Sequence, residues 1–293
     1  MELALQQALN GGLLSVFYAV MAIGFTLIFG VMGIVNLAHG ELYMVGAYVV
    51  WLTYAQGILP FPLAVLAGAG IVAGIGMLME RALFRQMRGN VLMGAILSVG
   101  IIFILQAFVA TTWHVGLMKN IPPAIRGSVE IFGAIAPWQR LIVIPSAAAL
   151  IGGLWWFLRR TKQGQALRAA AQDPEAATLQ GISINRVGLI AMAIAAGLAG
   201  AAGGLMAPIM RVDPYMGHTA LIMALMVTIV GGLGSVEGAM VASLIYGFLV
   251  AFVTGYFPKE IASPATMAII IGALLMFIML AVRPRGILGR GTA

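Results

Sequence analysis

His39, Gly40 and Glu41 place two ionisable side chains two residues apart between long apolar runs. In a membrane setting such a pair is a candidate for a solute or ion path. A charge is costly in hydrocarbon and is retained where it faces a partner or a wet cavity. The plainer reading is a polar turn at the cytoplasmic surface. Asn36 opens that turn, Gly40 relaxes its backbone, and Glu41 pairs with His39 or a basic loop residue. The plainer reading is preferred. Glu80 and Arg81 read in the same way, as the anchor of a helix end.

The remaining polar residues argue mainly against chemistries. His39, His114 and His218 are far apart, without HExxH spacing, and cysteine is absent, so no metal site is expected. Gly231–Ser235 reads GGLGS, but no soluble strand precedes it and no lysine follows where a phosphate-binding loop needs one. It reads as a tight bend between close-packed helices, built on Gly231, Gly232 and Gly234, with Glu237 opening the next helix. No nucleophile, base and orienting acid are tied together by spacing. A catalytic role is therefore not expected, nor is a cofactor bound by this chain.

The elements that must hold these residues are membrane spans. Of 293 residues 62% are hydrophobic and 9% charged, against about 25% charged in soluble domains. Apolar runs of about twenty residues recur along the chain, the length that crosses a bilayer as a helix. The fold class is an all-α polytopic membrane protein with eight or nine spanning or broken segments, treated as one domain over 1–293. The first span is expected over Gly12–Val35 and is read as retained, since no basic n-region or cleavage site marks a signal peptide. The others are expected near 42–56, 63–83, 91–111, 141–158, 187–210 and 264–282. The region 219–254 is either two short crossings or a broken re-entrant pair. Segment 112–140 is polar and contains a possible short strand or lid at 129–132. The Gly70–Gly74 pair and the cluster Gly197–Gly204 read as packing faces, where small residues let backbones approach.

Charge sets the orientation. The net charge of +7 calls for a membrane explanation before a nucleic-acid one. Eleven of the sixteen Lys and Arg residues lie in 81–88, 159–186 and the tail from Arg283. The positive-inside rule puts those on the cytoplasmic side. Segment 112–140 and the N-terminus are then external, the C-terminus cytoplasmic, and Asn36–Glu41 also inside.

The longest polar interval is 159–186. It predicts a short capped helix: Asp173 as cap, Pro174 at the first position, Glu175 near the positive dipole end, then Ala176 to Leu179 and Gln180, with Gly181 as terminator. Gln165–Gln172 is helix-prone as well. A flexible linker needs no such caps, so the loop reads either as an ordered connection or as a docking surface.

The stretch Ala22–Tyr48, which contains Gly24, Phe25, Gly30, Gly33, Asn36, His39, Gly40 and Glu41, closely resembles the signature of the LivH-type permeases of branched-chain amino acid ABC transporters. Thr161, Gly164, Arg168, Asp173, Ala176 and Gly181 are similar to that family's cytoplasmic loop, and Gly231–Ser235 followed by Gly238 to its glycine bend. The resemblance covers essentially the whole chain. It implies an ABC importer permease fold and a place in a bacterial inner-membrane importer. Implied partners are a homologous LivM-like permease, two cytoplasmic ATPase subunits that use ATP and Mg, and a periplasmic substrate-binding protein, all within the lipid bilayer or beside it. It also implies that Asp173, Pro174, Glu175, Ala176, Leu179 and Gly181 form a coupling helix to the ATPase. Asn36, His39, Gly40, Glu41, Gly231, Gly232, Gly234 and Glu237 stand as a gating or structural motif, and substrate-binding residues stay unknown. The implied solutes are branched-chain amino acids; urea, short amides or other amino acids are the alternative, and a secondary transporter is a more distant one.

Overall fold

The computed structural model of the chain describes residues 2–113, 119–131, 133–258 and 260–289; His114, Phe132, Lys259 and Arg290 lie outside the described residues. Among the described residues, eleven α-helices and one small hairpin follow one another. Seven of these helices are long and apolar enough to cross a membrane. They are α1 (Glu2–Met32), α3 (Phe61–Ala82), α4 (Val91–Trp113), α5 (Trp138–Arg160), α8 (Ile184–Met206), α10 (Val236–Tyr256) and α11 (Pro264–Val282). Two shorter helices, α2 (His39–Val50) and α9 (Met216–Gly231), pack among them. The polar helices α6 (Lys162–Gln172) and α7 (Pro174–Leu179) join α5 to α8.

The hairpin pairs β1 (Ser128–Ile131) with β2 (Ala134–Pro137), antiparallel, with Ser128 opposite Pro137. It defines one end of the bundle. The start of α1 is tied to it: the Ile135 N–H donates to Gln6 Oε1 at 3.1 Å, and Arg140 donates to Asn10 Oδ1 at 2.8 Å. These bonds explain why the first helix begins at Glu2 rather than Gly12. The polar side chains that look like a lead-in are partnered at the bundle end, so the helix continues through them. The α6–α7 loop defines the other end. Gly30 of α1 meets Ala171 there, and Gly33 meets Gly89. The basic segments 81–88, 159–186 and 283–285 all gather at this end.

Small residues decide the centre. α8 packs on α2 and α3, and Cβ atoms are missing where backbones touch. Gly203 lies against the Tyr43 carbonyl, Gly46 against the Gly200 carbonyl, and Gly76 against Ala196. The cluster Gly197–Gly204 is therefore a packing face, as its composition implies. At Gly70 and Gly74 an added Cβ would meet nothing within this chain. The packing stripe of α3 is Gly68, Val72 and Gly76, two residues out of register with the motif. Spacing alone cannot tell which of two small-residue stripes faces the neighbour.

Region 219–254 contains a short apolar helix, α9, and one helix long enough to cross, α10. α9 runs to the loop end, Gly232 and Gly234 turn the chain with φ of 107° and 83°, and α10 returns along α1.

Candidate functional site

At the loop end, the two polar helices are built by their caps. Thr161 Oγ1 accepts from the Gly164 N–H at 2.9 Å and starts α6. Asp173 Oδ1 accepts from the N–H groups of Glu175 and Ala176, both at 2.9 Å, and starts α7. Pro174 takes the first position, where its missing N–H costs nothing. Gly181 ends the segment with φ of 79°. Ala177 is buried against the bundle, while Leu179 is 88% exposed. The capped helix expected from Asp173, Pro174, Glu175, Ala176, Leu179 and Gly181 thus forms. It presents an apolar side chain outward.

The glycine bend lies across a cleft from α6. Ser235 Oγ accepts from the Gly238 N–H at 3.1 Å and caps α10, and Glu237 sits in its first turn. Gly231 is packed against the Gly238 backbone, and Gly232 against Gly286 and Gly289 of the tail. The tail also closes the end of α9: the N–H groups of Ile287 and Leu288 donate to the carbonyls of Val230 and Gly231 at 2.8 and 3.1 Å. Between this bend, α1, α5 and α6 is a cleft of about 770 Å³. Leu27, Phe29, Trp155 and Leu167 line its apolar part, and Arg159, Arg168 and Glu237 its polar part.

The break at Asn36–Glu41 is not a surface turn. Asn36, His39 and Glu41 are 1%, 0% and 1% exposed. After Met32 the chain turns back through a short non-helical stretch, 33–38, that runs beside α4. The Leu37 N–H donates to Ser98 Oγ at 3.0 Å, and the Ala38 N–H donates to Asn36 Oδ1 at 3.1 Å. α2 then begins at His39, whose Nε2 donates to the Met21 carbonyl at 3.2 Å. Met21 lies eleven residues above the end of α1 at Met32, roughly 16 Å along the axis. That is about half of a bilayer core of about 30 Å. The expected cytoplasmic position of Asn36–Glu41 is therefore corrected to the middle of the bundle. A charge count can place loops at an end, but it cannot see a chain that turns back into the bundle.

Tertiary contacts bring further residues to this break. Gln106 Nε2 donates to Glu41 Oε1 at 2.9 Å and lies 2.9 Å from His218 Nε2. α9 starts beside α2, with Gly217 against the backbone of Gly40. A Cβ at Gly217 would stand 3.0 Å from Glu41 Cδ. Neither Gln106 nor the pairing of Glu41 with His218's neighbourhood is readable from spacing. The one available signal was Gln106 itself, an amide deep inside the apolar run of α4. Glu80 anchors a helix end, as expected, and does so through the loop arginines Arg85 and Arg88. Among the described residues, no group of three His, Cys, Asp or Glu side chains could hold a metal.

The chain is similar to known proteins in sequence and in fold. The family described as "Branched-chain amino acid transport system / permease component" matches residues 7–279. The high-affinity branched-chain amino acid transport system permease LivH of Salmonella typhimurium is 36% identical, covering 98% of this chain and 96% of that protein. LivH of Escherichia coli is 35% identical over the same shares, and BraD of Pseudomonas aeruginosa is 31% identical, also with 98% and 96% covered. Among solved structures, PsaBC from Streptococcus pneumoniae in complex with Fab superposes with a TM-score of 0.56 at 14% identity, covering 94% of this chain and 91% of that one. An inward-facing metal-chelate type ABC transporter also superposes at 0.56, with 16% identity and coverage of 95% and 85%. These two likenesses concern the fold.

Proposed function

The chain belongs to the branched-chain amino acid transport permease family, and from that premise we propose that it is the membrane subunit of an ABC importer that carries branched-chain amino acids into the cytoplasm. It works with ATPase subunits and other importer components. The finer assignments are a homologous partner permease, two ATPases below and a periplasmic binding protein above. ATP and Mg act on the ATPases; this chain supplies the path and the mechanical link, not a reaction.

The observation that carries the reading is α7. It is short, capped at both ends, and offers Leu179 to solvent at 88% exposure. An exposed leucine on an ordered loop helix suits a protein groove better than water. Movement of such a groove reaches the spans directly. α7 follows α6, which packs on α1 and α8, and α8 begins three residues after Gly181. The bend Gly231–Ser235 and Glu237 border the cleft at the same end. There they act as a hinge between α9 and α10. Asn36, His39, Gly40 and Glu41 act at mid-depth, where two broken segments meet.

Orientation follows the basic residues. The α6–α7 end faces the cytoplasm, and the hairpin end faces the outside. The membrane is then the bacterial inner membrane, with the N-terminus external and the C-terminus cytoplasmic.

The test is the reconstituted importer with Glu175→Arg and Leu179→Arg combined. The expected result is loss of ATP-driven leucine uptake, with the permease still folded and inserted. Uptake at the wild-type rate would remove the coupling role from α7.

A further inference from the structure

Resting on the permease reading above, we propose that Glu41 receives the ammonium group of the transported amino acid, and that Gln106 and His218 form the approach to it.

Two buried acids can be compared. Glu80 is wholly buried, and both of its oxygens are taken by Arg85 and Arg88. Glu41 is 1% exposed and has no cationic partner among the described residues. Its Oε1 accepts one hydrogen bond from Gln106, and its Oε2 is buried with no partner. An anion left half-satisfied at mid-membrane depth is expensive, and a carboxylate at such a depth marks a pathway when a donor can reach it.

Gln106 links this carboxylate to an exposed residue. The carboxamide nitrogen of Gln106 lies 2.9 Å from Glu41 Oε1 and 2.9 Å from His218 Nε2. One donor nitrogen thus stands between two acceptors. A primary ammonium, with three donors and a positive charge, suits the same place better than a neutral amide does. His218 is exposed on the first turn of α9. A histidine so placed faces a wet path or a polar partner rather than hydrocarbon.

The backbone adds a complementary feature. α2 begins at His39 and α9 at Met216, and they meet at Gly40 and Gly217. Two helix N-termini therefore converge beside the carboxylate. Their partial positive charge favours an anionic group. An amino-acid zwitterion carries both signs on groups bonded to one carbon: the ammonium goes to Glu41 and the carboxylate to the helix ends. A neutral amide such as urea offers no such pairing.

The experiment uses the assembled importer in proteoliposomes, assayed with leucine, isoleucine and valine. A wild type that imports none of the three counts against the permease reading itself, separately from the variants. E41Q keeps an oxygen to accept from Gln106, so packing is retained while the charge is lost. It is expected to lower uptake about tenfold or more at unchanged melting temperature. Wild-type uptake by E41Q overturns the assignment. The second arm stands even if E41Q fails to assemble. The chain has no cysteine, so H218C can be probed in the importer with a cationic methanethiosulfonate, the other subunits being cysteine-free. Labelling that saturating leucine slows supports the site; no labelling, or labelling that leucine leaves unchanged, overturns it.

Discussion

Arg88, in the short loop after α3, closes over the carboxylate of Glu80, whose side chain is 0% exposed, while its own is 16% exposed. Arg88 also donates to Asn185 Oδ1 at 2.8 Å. One side chain therefore ties the end of α3 to the start of α8, next to the polar loop. Arg85 completes the pair at 3.1 Å but is 34% exposed.

Removing the acid should be far more damaging than removing the exposed base. Glu80→Ala leaves Arg88 buried without its counter-charge, which costs about 3–5 kcal/mol. Arg85→Ala removes a half-solvated partner and costs about 1 kcal/mol or less. Thermal unfolding of the purified chain in detergent should show a large drop for the first and a small one for the second.

The two glycine stripes of α3 and α8 should respond in opposite ways. Gly203→Ala puts a methyl into the Tyr43 carbonyl. Backbone must shift, so a loss of about 3 kcal/mol or more is expected, beyond ordinary overpacking. Gly70→Ala meets nothing within 4 Å and removes a flexible residue from a helix, so it should be neutral or gain up to about 1 kcal/mol. Melting temperatures of the isolated chain check both.

Asp173→Ala removes both cap bonds of α7. The expected cost is about 1 kcal/mol, felt locally. Amide exchange at Glu175 and Ala176 should rise about fivefold, with α8 unchanged. Asp173→Asn should restore most of the protection, since its side-chain oxygen still accepts.

Deleting the tail after Pro284 removes the donors of Ile287 and Leu288 from the carbonyls of Val230 and Gly231. Those carbonyls belong to the unsatisfied last turn of α9. A loss of about 1–3 kcal/mol is expected, with faster proteolysis at the Gly231–Ser235 bend. Unchanged stability would mean that water replaces the tail fully.

Orientation can be read with single cysteines in this cysteine-free chain. E175C should react only from the cytoplasmic side and I125C only from the outside, both in intact cells and in inverted vesicles. The reverse pattern would overturn the charge-based topology.

Local signals were readable where local forces decide. The caps of α7 depend on Asp173, Pro174 and Gly181, all within nine residues of one another, so they could be named before any fold was known. The spans followed from apolar length, and the gathering of basic residues at one end from the cost of moving charge across hydrocarbon. Depth and facing did not follow. Asn36–Glu41 looks like a loop because polar residues interrupt an apolar run. A buried break and a surface turn have the same composition when the break's polar groups find partners from distant helices. Those partners are Ser98, Gln106 and the Met21 carbonyl, and only the packing of α2 against α1, α4 and α9 supplies them. The same holds for Gly70 and Gly74, whose spacing announces a packing face that the rotation of α3 turns outward. The sequence by itself determined the class, the elements and the capped loop, because these rest on neighbours along the chain. The tertiary structure alone decided which charge is satisfied and which is left open at mid-membrane, because that depends on groups far apart in sequence meeting in space.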